Sequence, residues 1–199
     1  MIHPYAGEAY ARSLAHIGVA FSVPEWGGHV LVRSTPCGTR EDAIGPYPLT
    51  VLAADADVEG GLVRLKAAGL VSVVLVLDDR LRPAMSALED ARATARRFKS
   101  HFVHDRSLGA VAYGKHHRYE LRRALARVVV SEISLADHLP DWEALYGELT
   151  TRHGLGGLHD FPRVHHVTLA SLAACGPSRP SSTGGWYRPI CSSPMTATR

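Results

Sequence analysis

The chain has 199 residues, a hydrophobic fraction of 46%, a charged fraction of 21% and a formal net charge of +3. That length supports one ordinary domain with a sizeable core, and the charge is too small to argue for a nucleic-acid partner by itself. No apolar run is long enough for a membrane span and no basic-then-apolar start marks a signal peptide, so a cytoplasmic protein is expected.

In chain order, Ala6 to Ile17 predicts a helix with Tyr10, Leu14 and Ile17 on one side. Trp26-Gly27-Gly28 marks a turn before a short strand over His29–Arg33. Ser34 to Pro48 reads as a loop broken by Pro36, Gly38, Gly45, Pro46 and Pro48, and Leu49–Ala53 as another short strand. Asp57 is a natural N-cap, Val58, Leu62 and Leu65 share a helical face, and Gly69 supplies the stop. Val71–Leu77 is almost wholly apolar and β-branched, the composition of a central strand covered on both faces. Strand, helix, strand is the grammar of an α/β layer.

Pro83 opens a predicted helix over 84–97, with Leu88, Ala91 and Ala95 pointing inward and Phe98 continuing that face. Lys99–His104 reads as a strand, Lys115–Ala126 as a helix, and Arg127–Ile133 as a strand centred on Val128, Val129 and Val130. Trp142, Leu145, Tyr146 and Leu149 form an i, i+3, i+4, i+7 stripe that ends near Gly154. Residues 1–173 therefore form one expected α/β (α+β) unit, a mixed twisted sheet flanked by helices. From Ala174 to Arg199 there is no Leu, no Val and no acidic side chain, and no sustained period of either kind. That stretch reads either as a disordered tail or as the product of a shifted reading frame. The chain also has no Asn or Gln and only three lysines, a bias expected of GC-rich coding sequence.

Chemistry-bearing residues concentrate on the basic helix. Lys115, Arg118, Tyr119 and Arg122 fall at i, i+3, i+4 and i+7 on one face, with Leu121, Ala124 and Leu125 to the other side. Such a face either grips a phosphate through the planar donor fork of arginine, or is a solvated basic surface with Glu120 nearby. No recognised nucleic-acid reader motif accompanies it. His101 and His104 alternate to opposite faces of their predicted strand, and His116–His117 and His165–His166 diverge on helices, so no metal site is expected. Cys37 lies in the Pro/Gly loop without a local base, and Cys37, Cys175 and Cys191 have no ligand or redox spacing. Their odd number suits a reducing compartment. Glu41 and Asp42 follow Cys37, in a loop that either contacts substrate or simply connects.

The order of several pieces between Trp26 and Leu172 resembles the N-terminal lobe of the FemAB-like branch of the GNAT N-acyltransferases. These pieces are Gly45-Pro-Tyr-Pro-Leu, Leu70-Val-Ser-Val-Val-Leu-Val, Phe98-Lys-Ser-His-Phe-Val, Lys115-His-His-Arg-Tyr and Leu145-Tyr-Gly-Glu-Leu-Thr-Thr-Arg-His-Gly. The resemblance implies a GNAT-like lobe. It implies transfer of an acetyl, other acyl or aminoacyl group from a CoA thioester or an ester donor to a small-molecule or amine-bearing substrate. Acetyl-CoA or another acyl-CoA would be the cofactor. Lys115, Arg118, Tyr119 and Arg122 are then the expected substrate-binding residues, with Lys99 and His101 on the preceding strand as further candidates.

Two departures accompany it. The family's second lobe would follow residue 173, where the tail stands instead. The pyrophosphate loop, Arg/Gln-x-x-Gly-x-Gly/Ala before a helix, is missing: Arg152-His-Gly-Leu-Gly-Gly157 has Leu155 at the first glycine and follows a helix. A truncated, inactive lobe is therefore one expectation. A non-catalytic α/β module, using the basic helix for phosphorylated or nucleic-acid ligands, is the alternative. The tail lacks the apolar density to offset a backbone ordering cost of roughly 1–2 kcal/mol per residue. Deleting residues 174–199 is expected to leave the midpoint of thermal unfolding nearly unchanged, and a large drop would show that the segment packs.

Overall fold

The structure is a computed structural model that describes residues 3–80, 82–100, 106–109, 111–131 and 133–174. The tail from Cys175 onward, and most of the strand expected over Lys99–His104, lie outside these residues.

The first ordered element is a 3₁₀ turn over Pro4–Ala6, continued by helix α1, Glu8–Ser13. Strand β1, Val19–Val23, enters a second 3₁₀ turn, Pro24–Trp26, and Gly27 at φ 67° reverses the chain into β2, Gly28–Ser34. Glycine carries that left-handed step without a Cβ penalty. Strand β3, Glu41–Ile44, pairs antiparallel with β2, helix α2 spans Val58–Ala67, and β4, Val73–Val74, returns parallel to β3. The sheet order is β1-β2-β3-β4, and an isolated parallel bridge joins Thr50 to Leu77. The remaining helices are α3, Met85–Asp90, α4, Lys115–Leu125, α5, Leu139–His153, and α6, Arg163–Ala174. The expected class, a mixed sheet flanked by helices, is observed.

Each sheet face has its own core. Val23, Trp26, Val30, Ala43, Leu52, Leu65 and Leu70 pack beneath α2, with Phe21, Val32, Val73, Leu75 and Leu77 beside them. On the other face Leu31, Ala20 and Ile44 meet Tyr10, Ala11 and Leu14 of α1 and Leu169 and Leu172 of α6. The strand register explains the split. Ala20 sits opposite Leu31 and Leu31 opposite Ile44, while Val32 sits opposite Ala43 and Ala43 opposite Val73.

Several expected boundaries hold for the physical reason that suggested them. The Asp57 carboxylate accepts a hydrogen bond from the Gly60 amide at 2.8 Å and caps α2, while Gly69 at φ 84° ends it. Gly154 at φ 59° closes α5, and its amide donates to the Thr150 carbonyl.

Others are corrected. Val71–Leu77 is not a central strand covered on both faces but an edge with a two-residue ladder. Its α2 face is packed, whereas Val74 is 62% and Val76 41% exposed, because α1 and α6 cover the β1–β2 end of the other face. The loop expected over Ser34–Pro48 contains β3. Its acidic start is tolerated because Asp42, directly opposite Arg33, accepts from the guanidinium at 2.9 Å. The strand expected over Leu49–Ala53 contributes only the Thr50 bridge. The helix expected over 84–97 stops at Asp90; only Leu88 of its inner stripe is buried, and Arg92 turns left-handed at φ 56°. Arg127–Ile133 shows no strand among its described residues, and Val129 is 97% exposed, with no sheet edge beside it to complete a ladder.

Trp26 and α2 approach each other closely. The indole Nε1 donates to the Val58 carbonyl at 3.2 Å, and a Cβ built on Gly61 would lie 1.9 Å from that same nitrogen. In an open helix Gly→Ala gains about 1 kcal/mol, but overpacking a core costs about 1–3 kcal/mol. Gly61→Ala should therefore destabilise, seen as a lower urea midpoint at unchanged slope. A raised midpoint would mean that α2 is free to move off the indole.

Candidate functional site

Helix α4 carries Lys115, Arg118, Tyr119 and Arg122 as the sequence predicts, and none of its residues is buried. Tyr119 is 55% exposed, and Leu121 and Leu125 on the opposite side are exposed as well. The apolar side expected to pack on the sheet is therefore open. No salt bridge engages Lys115, Arg118 or Arg122 among the described residues.

The start of α4 adds to this charge. Gly114 is its N-cap, no side chain caps its first turn, and no acidic residue lies there. Its free amides and the positive end of the helix dipole thus sit beside Lys115 and, one turn on, Arg118. Phosphate oxygens suit such a place. The start of α2 is the reverse: Asp57 already occupies an amide and Glu59 adds a second negative charge. An anion is repelled there.

The structure brings four of the six predicted residues onto one helical face. Lys99 is exposed and outside any regular element. His101 lies outside the described residues. Arg152-His-Gly-Leu-Gly-Gly157 is, as expected, the exit of α5 rather than a phosphate loop.

A second cluster was not singled out in the sequence. It forms where α6 crosses α1 and α5, and it collects His165, His166, Ser13, Tyr10, Tyr146, Trp142 and Phe161. Ser13 Oγ donates to the Tyr10 carbonyl at 2.7 Å and lies 2.9 Å from His165 Nδ1. A hydroxyl has one proton, so the imidazole is the donor to Ser13, and Nδ1 is not a base waiting to activate a nucleophile. The Phe161 ring stacks on His165 with centroids 4.5 Å apart and planes at 18°. Burial pushes His165 down to about 4, with His166 and His16 adding repulsion.

His166 is buried too, and neither of its ring nitrogens has a hydrogen-bond partner among the described residues. Tyr146 stands edge-on to it at 5.2 Å and Trp142 at 6.3 Å. Burial lowers its pKa, opposed in part by Glu143. The signal available in the sequence was the His165–His166 pair. The reading of divergence was correct: one ring faces α1 and the other α5.

Cys37 sits exposed between β2 and β3, where hydrogen bonds with the Thr35 and Thr39 hydroxyls lower its thiol to about 7. Neither threonine is a general base. Two open depressions border Phe21, one of about 400 Å³ against α2 and one of about 300 Å³ against Val32 and Leu70, and neither includes a residue of α4 or of the histidine cluster. No group of three or more His, Cys, Asp or Glu among the described residues is arranged to hold a metal ion, and no described helix is long and apolar enough to cross a membrane. Comparisons with protein-family models, with curated proteins and with solved structures find no match to this chain.

The Ser13 contact makes a direct prediction. Ser13→Ala leaves the buried Nδ1–H of His165 without an acceptor, which costs about 1–3 kcal/mol. Chemical denaturation should register that loss, and an unchanged stability would show that the ring finds another acceptor or changes tautomer.

Proposed function

We propose that this chain is a lobe of a FemAB-like N-acyltransferase, in which the start and basic face of α4 hold the phosphates of an acyl-CoA or similar donor. The observation that carries the reading is the start of α4. It is a helix N-terminus with no acidic residue in its first turn, beside Lys115 and Arg118, which have no carboxylate partner among the described residues. Arg122, a further turn along, extends the same charge, and Tyr119 offers a ring and a hydroxyl beside it. The mixed sheet with its parallel return through α2 accords with the α+β lobe that the resemblance implies. The acceptor is an amine, which must meet the donor as the free base. The chain residues that would take its proton are not assigned, and Lys99 and His101 stay candidates for the acceptor side.

The bareness of α4 on every side favours a second reading, a binding module that uses this helix for phosphorylated or nucleic-acid ligands without catalysis. Both readings place anions on the same residues; they differ in what the anion belongs to. Salt-sensitive binding of nucleic acid, with no binding of acetyl-CoA, identifies the module.

Losing one charge-assisted hydrogen bond costs about 1.5–3 kcal/mol of binding, which is roughly 10- to 150-fold in affinity. Arg118→Ala and Arg122→Ala, made separately and titrated with acetyl-CoA by calorimetry, should each weaken binding within that range. If both variants bind as the parent does, α4 is a solvated basic surface. A parent chain that binds no acetyl-CoA removes donor binding from this lobe.

A further inference from the structure

We infer that α6 is a pH-released latch: neutral His165 and His166 hold it against α1 and α5, and their protonation frees it from the sheet. Helix α6 places these adjacent histidines into two different contacts at once. His165 points at α1, where Ser13 and the Tyr10 ring receive it, and His166 points at α5, between Trp142 and Tyr146. Both rings are almost wholly buried, at 3% and 4% exposure. A single proton on either therefore places a charge inside an aromatic contact.

The groups facing them do little to stabilise such a charge. From α1 and its exit come the Tyr10 hydroxyl, already donated to the Tyr47 carbonyl at 2.5 Å, the Ser13 hydroxyl, and His16, which repels a charged His165. From α5 come Trp142, Tyr146 and Glu143; the Tyr146 hydroxyl donates to the His159 carbonyl at 2.6 Å, and Arg163 engages Glu143. The loop before α6 adds Phe161, stacked on His165, with His159 and Asp160 nearer to Tyr47 and Tyr146. Glu143 is the one carboxylate that favours a charged His166, and its charge is shared with Arg163.

The α5 contact is also weakly made. His166 Nδ1 and Nε2, Trp142 Nε1 and Glu143 Oε1 are buried without hydrogen bonds among the described residues. Each unpaired buried polar group is a cost that opening to water relieves. The sign follows from the direction of the shifts. Both histidines have folded values below their ordinary 6.5, so the contact is at full strength above that pH. It weakens as pH falls, and for His165 the loss is complete only near pH 4. Release of α6 uncovers Leu169 and Leu172 together with Leu31, Ala20 and Ile44, an apolar surface that neutral pH conceals.

Hydrogen exchange of the full chain between pH 8 and pH 4, corrected for intrinsic rates, tests the latch. Amides of 163–174 should lose protection below pH 6.5 while β1, β2 and β3 keep theirs. His165→Gln with His166→Phe, which cannot take up the protons, should move that opening at least one pH unit lower. Simultaneous loss in α6 and β2 would overturn the proposal, as would an opening pH unmoved in the double variant. If the double variant does not fold, the imidazole resonances of the parent decide: titration of both rings near 6.5 with α6 still protected rules the latch out.

Discussion

The fold depends on the seat that Trp26 takes beneath α2. Its indole fills the place where Gly61 has no side chain, and its Nε1 bonds to the first turn of the helix. Its carbonyl also accepts from the Ala53 amide, while Asp57 donates its own amide to the Glu25 carbonyl. The turn between β1 and β2 is thereby tied to both ends of the segment that enters α2. With the helix fixed there, the chain leaves it at Gly69 beside β3 and returns parallel to that strand. The crossover that makes the sheet mixed is thus anchored at one aromatic residue and one glycine.

The opposite face is built on a different principle. There the sheet offers only Ala20, Leu31 and Ile44 to the cluster formed with α1 and α6. Tyr10, Ser13, Phe161 and His165 add directed contacts, including a hydrogen bond between residues far apart in the chain. Directed contacts give a unique docking at the expense of sensitivity: an aromatic and imidazole contact depends on protonation, and an aliphatic one does not. The two faces should therefore respond differently to acid although they share the same strands.

The elements that could be read from the sequence were those whose signals are local. The cap at Asp57, the stops at Gly69 and Gly154 and the inner face of α2 needed only neighbouring residues, whereas Leu121 and Leu125 of α4 and Leu145 and Leu149 of α5, expected on packed sides, are exposed. Strand β3 was hidden because Glu41 and Asp42 look like loop residues until Arg33 is known to lie across from Asp42. Val71–Leu77 carried the composition of a covered strand, but coverage is a property of what packs above it, and α1 and α6 cover the other end. Val128–Val130 shows the same limit, since β-branched residues form a strand only where an edge is available. For the site, four residues on α4 followed from helical spacing. The uncapped start of that helix follows from Gly114 and the lack of nearby carboxylates. The cluster around His165 could not be read, because Ser13 is joined to it only in three dimensions.

The two places where ligands and protons act are mechanically separate, and that separation decides how each can be studied. No residue of helix α4 is buried, so its arginines contribute charge without contributing to the core. Their removal changes local potential and leaves the sheet with the same buried surface; a change in affinity there can be assigned to the lost contact itself. Around His165 the opposite holds. Ser13 and Tyr10, which touch the ring, also hold α6 to α1, so a substitution there alters chemistry and packing together. Stability and protonation are one quantity at that junction, and only measurements resolved by segment can divide a local opening from the unfolding of the whole sheet.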